Sequence, residues 1–148
     1  MNNKLIIIAL LVGLLIFMNT KQGFTPEDAE NALKRAVTKY GKEKSQLMEK
    51  MLRLETGNFK SKIYQNTGGA GMTLGSWGDR LKGIKIAGKY KTAGNPFTFY
   101  KFYSVDDFLQ VLSGYLDDHR AGNWYSTEEA KQIEYENKLQ NIKPKITA

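Results

Sequence analysis

The feature that most constrains the fold is the loss of helical periodicity in the middle of the chain. From Asn58 to about Gly94 the sequence is rich in glycine and lacks the apolar spacing of a helix, which is present on both sides. Within this stretch Ile84 to Tyr90 and Phe97 to Tyr103 have the composition of short strands, and Gly94-Asn95-Pro96 provides turn chemistry between them. The pattern predicts an α+β fold, in which a mainly helical lobe carries a small β-hairpin region.

Two helices are expected before the glycine-rich stretch. Thr25-Pro26-Glu27-Asp28 combines a capping residue, a proline at the first helical position and an acid at the third. Gly41 should end this helix, and a second helix should run from about Lys42 to Thr56 with Gly57 beyond it.

Two more helices are expected after it. Ser104-Val105-Asp106-Asp107 is a second capping pattern, and the helix that it opens should end near His119. Ser126 or Thr127 is the expected cap of the last helix. The lysine- and proline-containing tail that follows is expected to be loosely held.

Composition excludes several kinds of catalysis. The 148 residues include no cysteine and one histidine, His119, so a thiolate metal site, a histidine cluster or a Ser/His/Asp triad has little material. Carboxylate chemistry remains, and neither a metal nor an organic cofactor is expected. The net charge of +7 is densest at the lysines of positions 82, 85, 89, 91 and 101. Such a surface favours nucleic acid, anionic lipid or cell-wall polyanions, or is simply solvated.

The N-terminal segment is a candidate membrane span. Leu5 to Met18 is an unbroken apolar run, and sixteen uncharged positions separate Lys4 from Lys21. A span needs about 17–25 residues, so flanking lysines that reach the interface make the length just sufficient. A cleaved signal peptide is the alternative, but no small-x-small cleavage site follows the run. We expect residues 1–22 to be a single-pass signal anchor and residues 23–148 to be one domain.

Glu55 is the candidate catalytic acid. It continues the apolar stripe of the second helix at spacings of three and four residues, after Met48, Met51 and Leu52. Partial burial and the negative end of the helix dipole should both raise its pKa. An acid that keeps its proton near neutral pH can protonate the leaving oxygen of a glycosidic bond. Alternatively, Glu55 pairs with Arg53 or Lys60 at an exposed helix end.

The residues around Glu55 resemble a known motif. Glu55-Thr56-Gly57-Asn58-Phe59-Lys60-Ser61 is similar to the Glu-(Thr/Ser)-Gly-x-(Phe/Gly)-x-Ser motif of the lysozyme-like superfamily, especially the bacterial and phage endo-β-N-acetylglucosaminidases and lytic transglycosylases. The resemblance implies a lysozyme-like fold in which Glu55 enters the substrate groove as the catalytic acid.

Further elements occur in the order of that superfamily. Asn66 to Leu74 occupies the place of an Asn-Leu-Phe-Gly element, although its aromatic residue is missing. Phe99 to Phe108 looks like the stretch that leads into the next helix, and Tyr135 to Leu139 resembles a late Tyr-x-x-Lys-Leu element. The resemblance implies that Tyr135 lies close to the acid. Residues of these motifs, Ser61, Asn66 and Tyr100, are the expected substrate contacts.

A second carboxylate has one candidate. Asp79 is the sole acid between Thr56 and Val105, but an aspartate in a turn often only caps its own backbone. Without it, Glu55 would work alone, acting as acid and then as base toward the substrate's own 6-hydroxyl or toward water, or with help from the N-acetyl group. Trp77 and Trp124 are flanked by glycine or small polar residues, so we expect them at the edge of a groove, stacked on sugar rings.

These expectations together describe a membrane-anchored enzyme that cleaves peptidoglycan glycan strands as a glucosaminidase, a muramidase or a lytic transglycosylase. Its domain should face the cell wall, for example during phage entry, lysis or the assembly of an envelope machine. The rival hypothesis is a non-catalytic anchored module that keeps the groove in order to bind glycan or a protein. A nucleic-acid-binding module would fit the charge but not the Glu55 motif, so no nucleic-acid partner is expected. The oligomeric state stays open.

Overall fold

A computed structural model describes residues 23–75 and 77–146 as an α+β domain that is mainly helical, as predicted. The elements in chain order are α1 Pro26–Tyr40, α2 Lys42–Thr56, α3 Lys62–Thr67, a 3-10 helix Gly78–Leu81, β1 Ile86–Tyr90, β2 Phe99–Phe102, α4 Val105–Asp118, α5 Ala121–Tyr125 and α6 Glu129–Gln140. Among the described residues, no helix combines the length and the apolar character that crossing a membrane requires. The predicted anchor, residues 1–22, lies outside the described part of the chain.

Local sequence signals account for the first two helices. The Thr25 hydroxyl accepts a hydrogen bond from the backbone N–H of Asp28 at 3.2 Å, and the Asp28 carboxylate accepts one from the N–H of Thr25 at 2.8 Å. Gly41 separates α1 from α2 with a φ of 85°, a value that side chains disfavour. Gly57 ends α2 in the left-handed conformation. The predicted bounds of both helices are therefore confirmed.

The core lies between α1, α2 and α4, which pack on one another, while α6 packs on α2 and α5. Each helix contributes an apolar stripe, and the most deeply buried members are Leu33, Met48, Leu52, Phe108 and Leu112. Excluding these side chains from water is the main force that holds the helices together. This core positions the last turn of α2 against α6.

The predicted hairpin is also present. Strands β1 and β2 pair antiparallel, with Ile86 opposite Phe102 and Lys89 opposite Tyr100. Phe102 is buried, and the Thr73 segment adds an isolated antiparallel bridge to Phe99. The hairpin therefore packs on the core through β2 and leaves much of β1 accessible.

The structure differs from the sequence prediction in the last third of the chain. The final helix begins at Glu129, after Glu128, because Ser126 uses its hydroxyl to accept the N–H of Glu128 in a turn instead of capping the helix. The prediction of a loosely held tail is wrong, because the backbone N–H groups of Lys145 and Ile146 donate to the Glu49 carboxylate at 2.9–3.1 Å. Ile146 is itself buried.

Candidate active site

Glu55 lies in the last turn of α2, one residue before Thr56 and two before Gly57. Glu55 is an exposed residue, so solvent reaches it. Protein nevertheless crowds the carboxyl group enough that burial raises its pKa. Because the side chain is accessible, desolvation will act less strongly than on an acid enclosed in the core. This combination describes an acid that solvent or a ligand can reach and that the surrounding protein partly shields from water.

A left-handed turn directly follows Glu55. Gly57, Asn58 and Phe59 have φ values of 57°, 58° and 67°, and a buried phenylalanine rarely adopts this conformation. Thr56 holds the turn closed, because its hydroxyl donates to the carbonyl of Leu52 and accepts the N–H of Phe59 at 2.8 Å. Backbone strain of this kind costs about 1–3 kcal/mol and is concentrated at functional sites.

Phe59 is held by a cation and an aromatic ring. Its ring lies 4.6 Å from the Arg53 guanidinium carbon and 5.7 Å from the centre of the Tyr64 ring. The Arg53 Nε donates to Glu49 at 2.7 Å, and both of these side chains are buried. Arg53 is therefore engaged with Glu49 and not with Glu55. Among the described residues, neither Arg53 nor Lys60 forms an ion pair with Glu55, so the surface-pair alternative is not what the structure contains.

Tyr135 is the partner of Glu55. The tyrosine lies on α6, its side chain is buried, and interaction with its hydroxyl lowers the pKa of Glu55 against the larger effect of burial. Burial first, and then the Glu55 charge, raises the pKa of Tyr135. The contact is close enough to act electrostatically, although the hydroxyl makes no hydrogen bond of good geometry to the described residues. The structure thus brings together two of the three predicted catalytic residues.

The aromatic residues Trp77, Tyr115 and Trp124 form one cluster. The ring centres of Trp77 and Trp124 are 4.9 Å apart, and those of Tyr115 and Trp124 are 5.4 Å apart. Both tryptophans are half-buried, so they are partly in the core and partly accessible, which leaves the predicted groove edge open as a hypothesis. Tyr115 is also one of the groups that raise the pKa of Tyr135, after burial and Glu55. The Trp77 indole N–H is buried and has no acceptor among the described residues.

Asp79, the predicted second acid, is separate from Glu55. It is exposed in the 3-10 helix, where its carbonyl accepts the N–H of Lys82 at 3.0 Å. With Trp77 and Arg80 it lines a cavity of about 580 Å³ that Glu55 does not line. Arg80 connects this cavity to α4, since its guanidinium donates to the carbonyl of Gly114 at 2.8 Å and to Asp118 at 3.1 Å. The structure gives no contact between Asp79 and Glu55.

The three predicted substrate contacts besides the tryptophans have structural partners. The Ser61 hydroxyl caps α3 by accepting the N–H of Tyr64 at 3.1 Å. The Asn66 amide donates to the carbonyl of Lys62 at 2.8 Å, and the Tyr100 hydroxyl accepts the N–H of Gly75 at 3.4 Å. Asn66 and Tyr100 remain half-buried, so their role in binding stays a prediction.

The sequence did not single out Glu49, and it offered Arg53 only as an alternative partner of Glu55, whereas the structure pairs Arg53 with Glu49. Their spacing of four residues on α2 is the one sequence signal that could have indicated a pair. The tail docks on Glu49 through Lys145 and Ile146, which follow Glu49 by 96 and 97 positions. No local sequence pattern predicts a contact at that separation.

A comparison of this chain with protein-family models, with curated proteins and with solved structures found no match.

Proposed function

We propose that this chain is a lysozyme-like glycosidase that cleaves the glycan strands of peptidoglycan, with Glu55 as its general acid. The observation that carries the proposal is the state of that carboxyl group. It is accessible to a ligand, it has no cationic partner among the described residues, and burial raises its pKa. An acid in this state can hold its proton until a glycosidic oxygen accepts it.

Several features of the surroundings support the same reading. The Glu55 motif resembles that of the lysozyme-like superfamily, and its Thr56 and Phe59 build the strained turn that follows the acid. A glycan strand is a polymer that must approach along an open face, so an accessible acid suits it better than an enclosed one. The two half-buried tryptophans of the aromatic cluster, Trp77 and Trp124, would offer apolar ring surface to sugars.

The proposed mechanism uses one carboxyl group. Glu55 gives its proton to the glycosidic oxygen as the bond to the anomeric carbon breaks, which leaves a carboxylate beside an oxocarbenium-like sugar. Interaction with Tyr135 favours that carboxylate, as the direction of its effect on the Glu55 pKa indicates. The carboxylate then takes a proton from the substrate's 6-hydroxyl, which closes an anhydro ring, or from water, which gives a reducing end. Asp79 has no part in this scheme because it lines a cavity that Glu55 does not line.

Digestion of isolated sacculi tests the proposal. The full chain in mild detergent would be incubated with sacculi, beside the variants Glu55→Gln and Glu43→Gln, and released fragments would be identified by mass spectrometry. Glu43 is an exposed acid in the first turn of the same helix, so the second variant controls for the loss of one charge from α2. We expect Glu55→Gln to lower the rate by about 10²–10⁴-fold and Glu43→Gln to leave it unchanged.

The fragments also decide between the alternatives. Reducing ends would indicate hydrolysis, and anhydro ends would indicate transglycosylation. Equal release by the parent and by Glu55→Gln would remove Glu55 from the chemistry. No release by any of the three proteins, together with retention of all three on sacculi, would favour the anchored binding module instead.

A further inference from the structure

The net charge of the chain is concentrated in one region. Residues 80–105 contain six basic residues and no acidic residue, so they carry six of the seven net positive charges. The remainder of the chain has sixteen basic and fifteen acidic residues and is therefore nearly neutral. Arg80 is paired with Asp118 at 3.1 Å. The five lysines that remain, which we call the lysine hairpin, are Lys82, Lys85, Lys89, Lys91 and Lys101.

The positive charges of the lysine hairpin face solvent and are not neutralised by acidic side chains of the described residues. All five side chains are exposed. Within residues 23–75 and 77–146 none of them forms an ion pair, whereas lysines elsewhere in the domain, such as Lys44 and Lys138, do. Lys101 lies opposite Gly88 and Lys89 lies opposite Tyr100, so the two strand lysines are on opposite faces of the ribbon. Positive charge therefore surrounds the hairpin.

Two exposed aromatic residues flank strand β2. Phe97 precedes the strand and is 57% exposed, and Tyr103 follows it and is 63% exposed. They are the two most exposed of the large apolar side chains in the described part of the chain. Lysines interleaved with exposed aromatic rings are the composition that membrane–water interfaces select, because the rings enter the headgroup layer while the ammonium groups meet phosphates.

The chain itself brings this surface close to the apolar N-terminal run. Gly23 and Phe24 line a cavity of about 470 Å³ together with Lys101 and Tyr103. The backbone N–H of Phe24 donates to the carbonyl of Gln65 at 2.7 Å, which fixes the entry of the chain at this end of the domain. Met18, the last residue of the apolar run, is five residues before Gly23. Five extended residues span at most about 18 Å, so the run ends within reach of the hairpin.

We propose that the lysine hairpin binds the anionic phospholipid headgroups of the membrane that holds the apolar N-terminal run. The hairpin would then lie edge-on among the headgroups, so that the lysines of both faces, with Tyr103 and Phe97, meet the bilayer and the domain does not move freely on a tether. Other polyanions match the charge equally well, but the membrane is the one that the N-terminal run places beside the hairpin. The inference rests on the membrane anchor that the sequence predicts for residues 1–22 and does not depend on the chemistry of Glu55.

Amine labelling of the full chain in lipid nanodiscs tests the inference. Discs would contain phosphatidylcholine alone or phosphatidylcholine with phosphatidylglycerol, and the labelling of each lysine would be read by mass spectrometry. We expect labelling of the lysine hairpin to fall about fivefold in the anionic discs. About 1 M salt, which shortens the Debye length to about 3 Å, should abolish the difference. Lys34 and Lys42, which are exposed on α1 and α2, should label equally in both discs.

A pair of matched variants sharpens the test. Lys89→Gln with Lys91→Gln should weaken the protection of Lys82, Lys85 and Lys101, whereas Lys34→Gln with Lys42→Gln should not. Equal labelling of the hairpin in neutral and anionic discs would overturn the proposal. So would failure of the chain to enter neutral discs, or protection in detergent by an oligonucleotide or a wall polymer without protection by phosphatidylglycerol.

Discussion

Replacement of Glu49 by alanine should destabilise the domain more than replacement of any exposed acid by alanine would. Its side chain is 0% exposed and accepts hydrogen bonds from Arg53 Nε at 2.7 Å, from the N–H of Lys145 at 2.9 Å and from the N–H of Ile146 at 3.1 Å. Glu49→Ala removes all of these acceptors at once. The Arg53 guanidinium, which is 5% exposed, would lose its nearest carboxylate.

The unpaired Arg53 guanidinium sets the size of the expected loss in the free energy of unfolding. Breaking a buried ion pair by removal of one partner costs about 3–5 kcal/mol. The tail can detach and hydrate its two N–H groups, but Ile146 then loses its burial, which adds up to about 1.5–3 kcal/mol. These effects overlap, so we expect the free energy of unfolding to fall by at least about 3 kcal/mol. For a domain of this size, that lowers Tm by about 10–15 °C.

Urea unfolding followed by tryptophan fluorescence would measure the loss. Glu30→Ala is the matched control, because Glu30 lies 3.8 Å from Arg53 but its side chain is 47% exposed, so its removal should cost less than about 1 kcal/mol. The double variant Glu49→Met with Arg53→Met should recover the part of the loss that comes from the unpaired guanidinium, since apolar side chains often replace a buried pair without loss, but not the part that comes from the tail, whose N–H groups still lack their acceptor. Equal costs for Glu49→Ala and Glu30→Ala would refute the reasoning.

Three further substitutions test the site. Tyr135→Phe removes the hydroxyl that lowers the pKa of Glu55, so the pKa should rise further, and the activity that depends on protonated Glu55 should persist to higher pH. Carbon NMR of the carboxyl group would follow this shift, and a fall in the pKa would contradict it. Gly57→Ala should cost about 1–2 kcal/mol in urea unfolding, because a Cβ there meets no atom within 4 Å and only the left-handed backbone opposes it. Asp79→Asn should leave the rate of sacculus digestion unchanged and should change the free energy of unfolding by less than about 0.5 kcal/mol. A large loss of digestion would indicate that Asp79 acts as a second catalytic acid.

The raised pKa of Glu55 also makes stability depend on pH. The folded state binds the proton of Glu55 more tightly than the unfolded chain, whose carboxyl has a pKa near 4.5. The stability that this group contributes is therefore complete below that value and is lost as pH rises through the folded-state pKa. As pH rises from about 4.5 through the folded-state pKa, the urea midpoint of the parent should fall relative to that of Glu55→Gln. A rise would contradict the partial burial of the acid.

Elements with local signals were predictable from the sequence. Thr25 and Pro26 set the start of α1, and Gly57 set the end of α2, because capping geometry involves residues within a few positions of one another. The hairpin was also predictable, since its strands follow each other closely and turn residues separate them. The short helices α3 and α5 were missed, because five or six residues are too few to show a helical period.

The parts that depend on distant contacts were not predictable. The tail looked unstructured because its partner, Glu49, is almost a hundred positions earlier. The left-handed conformations of Asn58 and Phe59 come from the hydrogen bond of Thr56 and from the burial of the Phe59 ring, neither of which a propensity describes. The pairing of Arg53 with Glu49 in preference to Glu55 likewise follows from which side of α2 faces the core.

Glu49 and Glu55 show how one helix can give two carboxyl groups different uses. They lie six residues apart on α2. The fold surrounds Glu49 with a guanidinium and two backbone N–H groups, which bind it from several sides and leave it no access to a substrate. Glu55 is exposed and interacts with the Tyr135 hydroxyl, and no cation within residues 23–75 and 77–146 forms an ion pair with it. Glu49 engages Arg53, which is two residues from Glu55 in the sequence and is not paired with it. If Glu55 is the general acid that we propose, the buried pair would keep Arg53 from neutralising it.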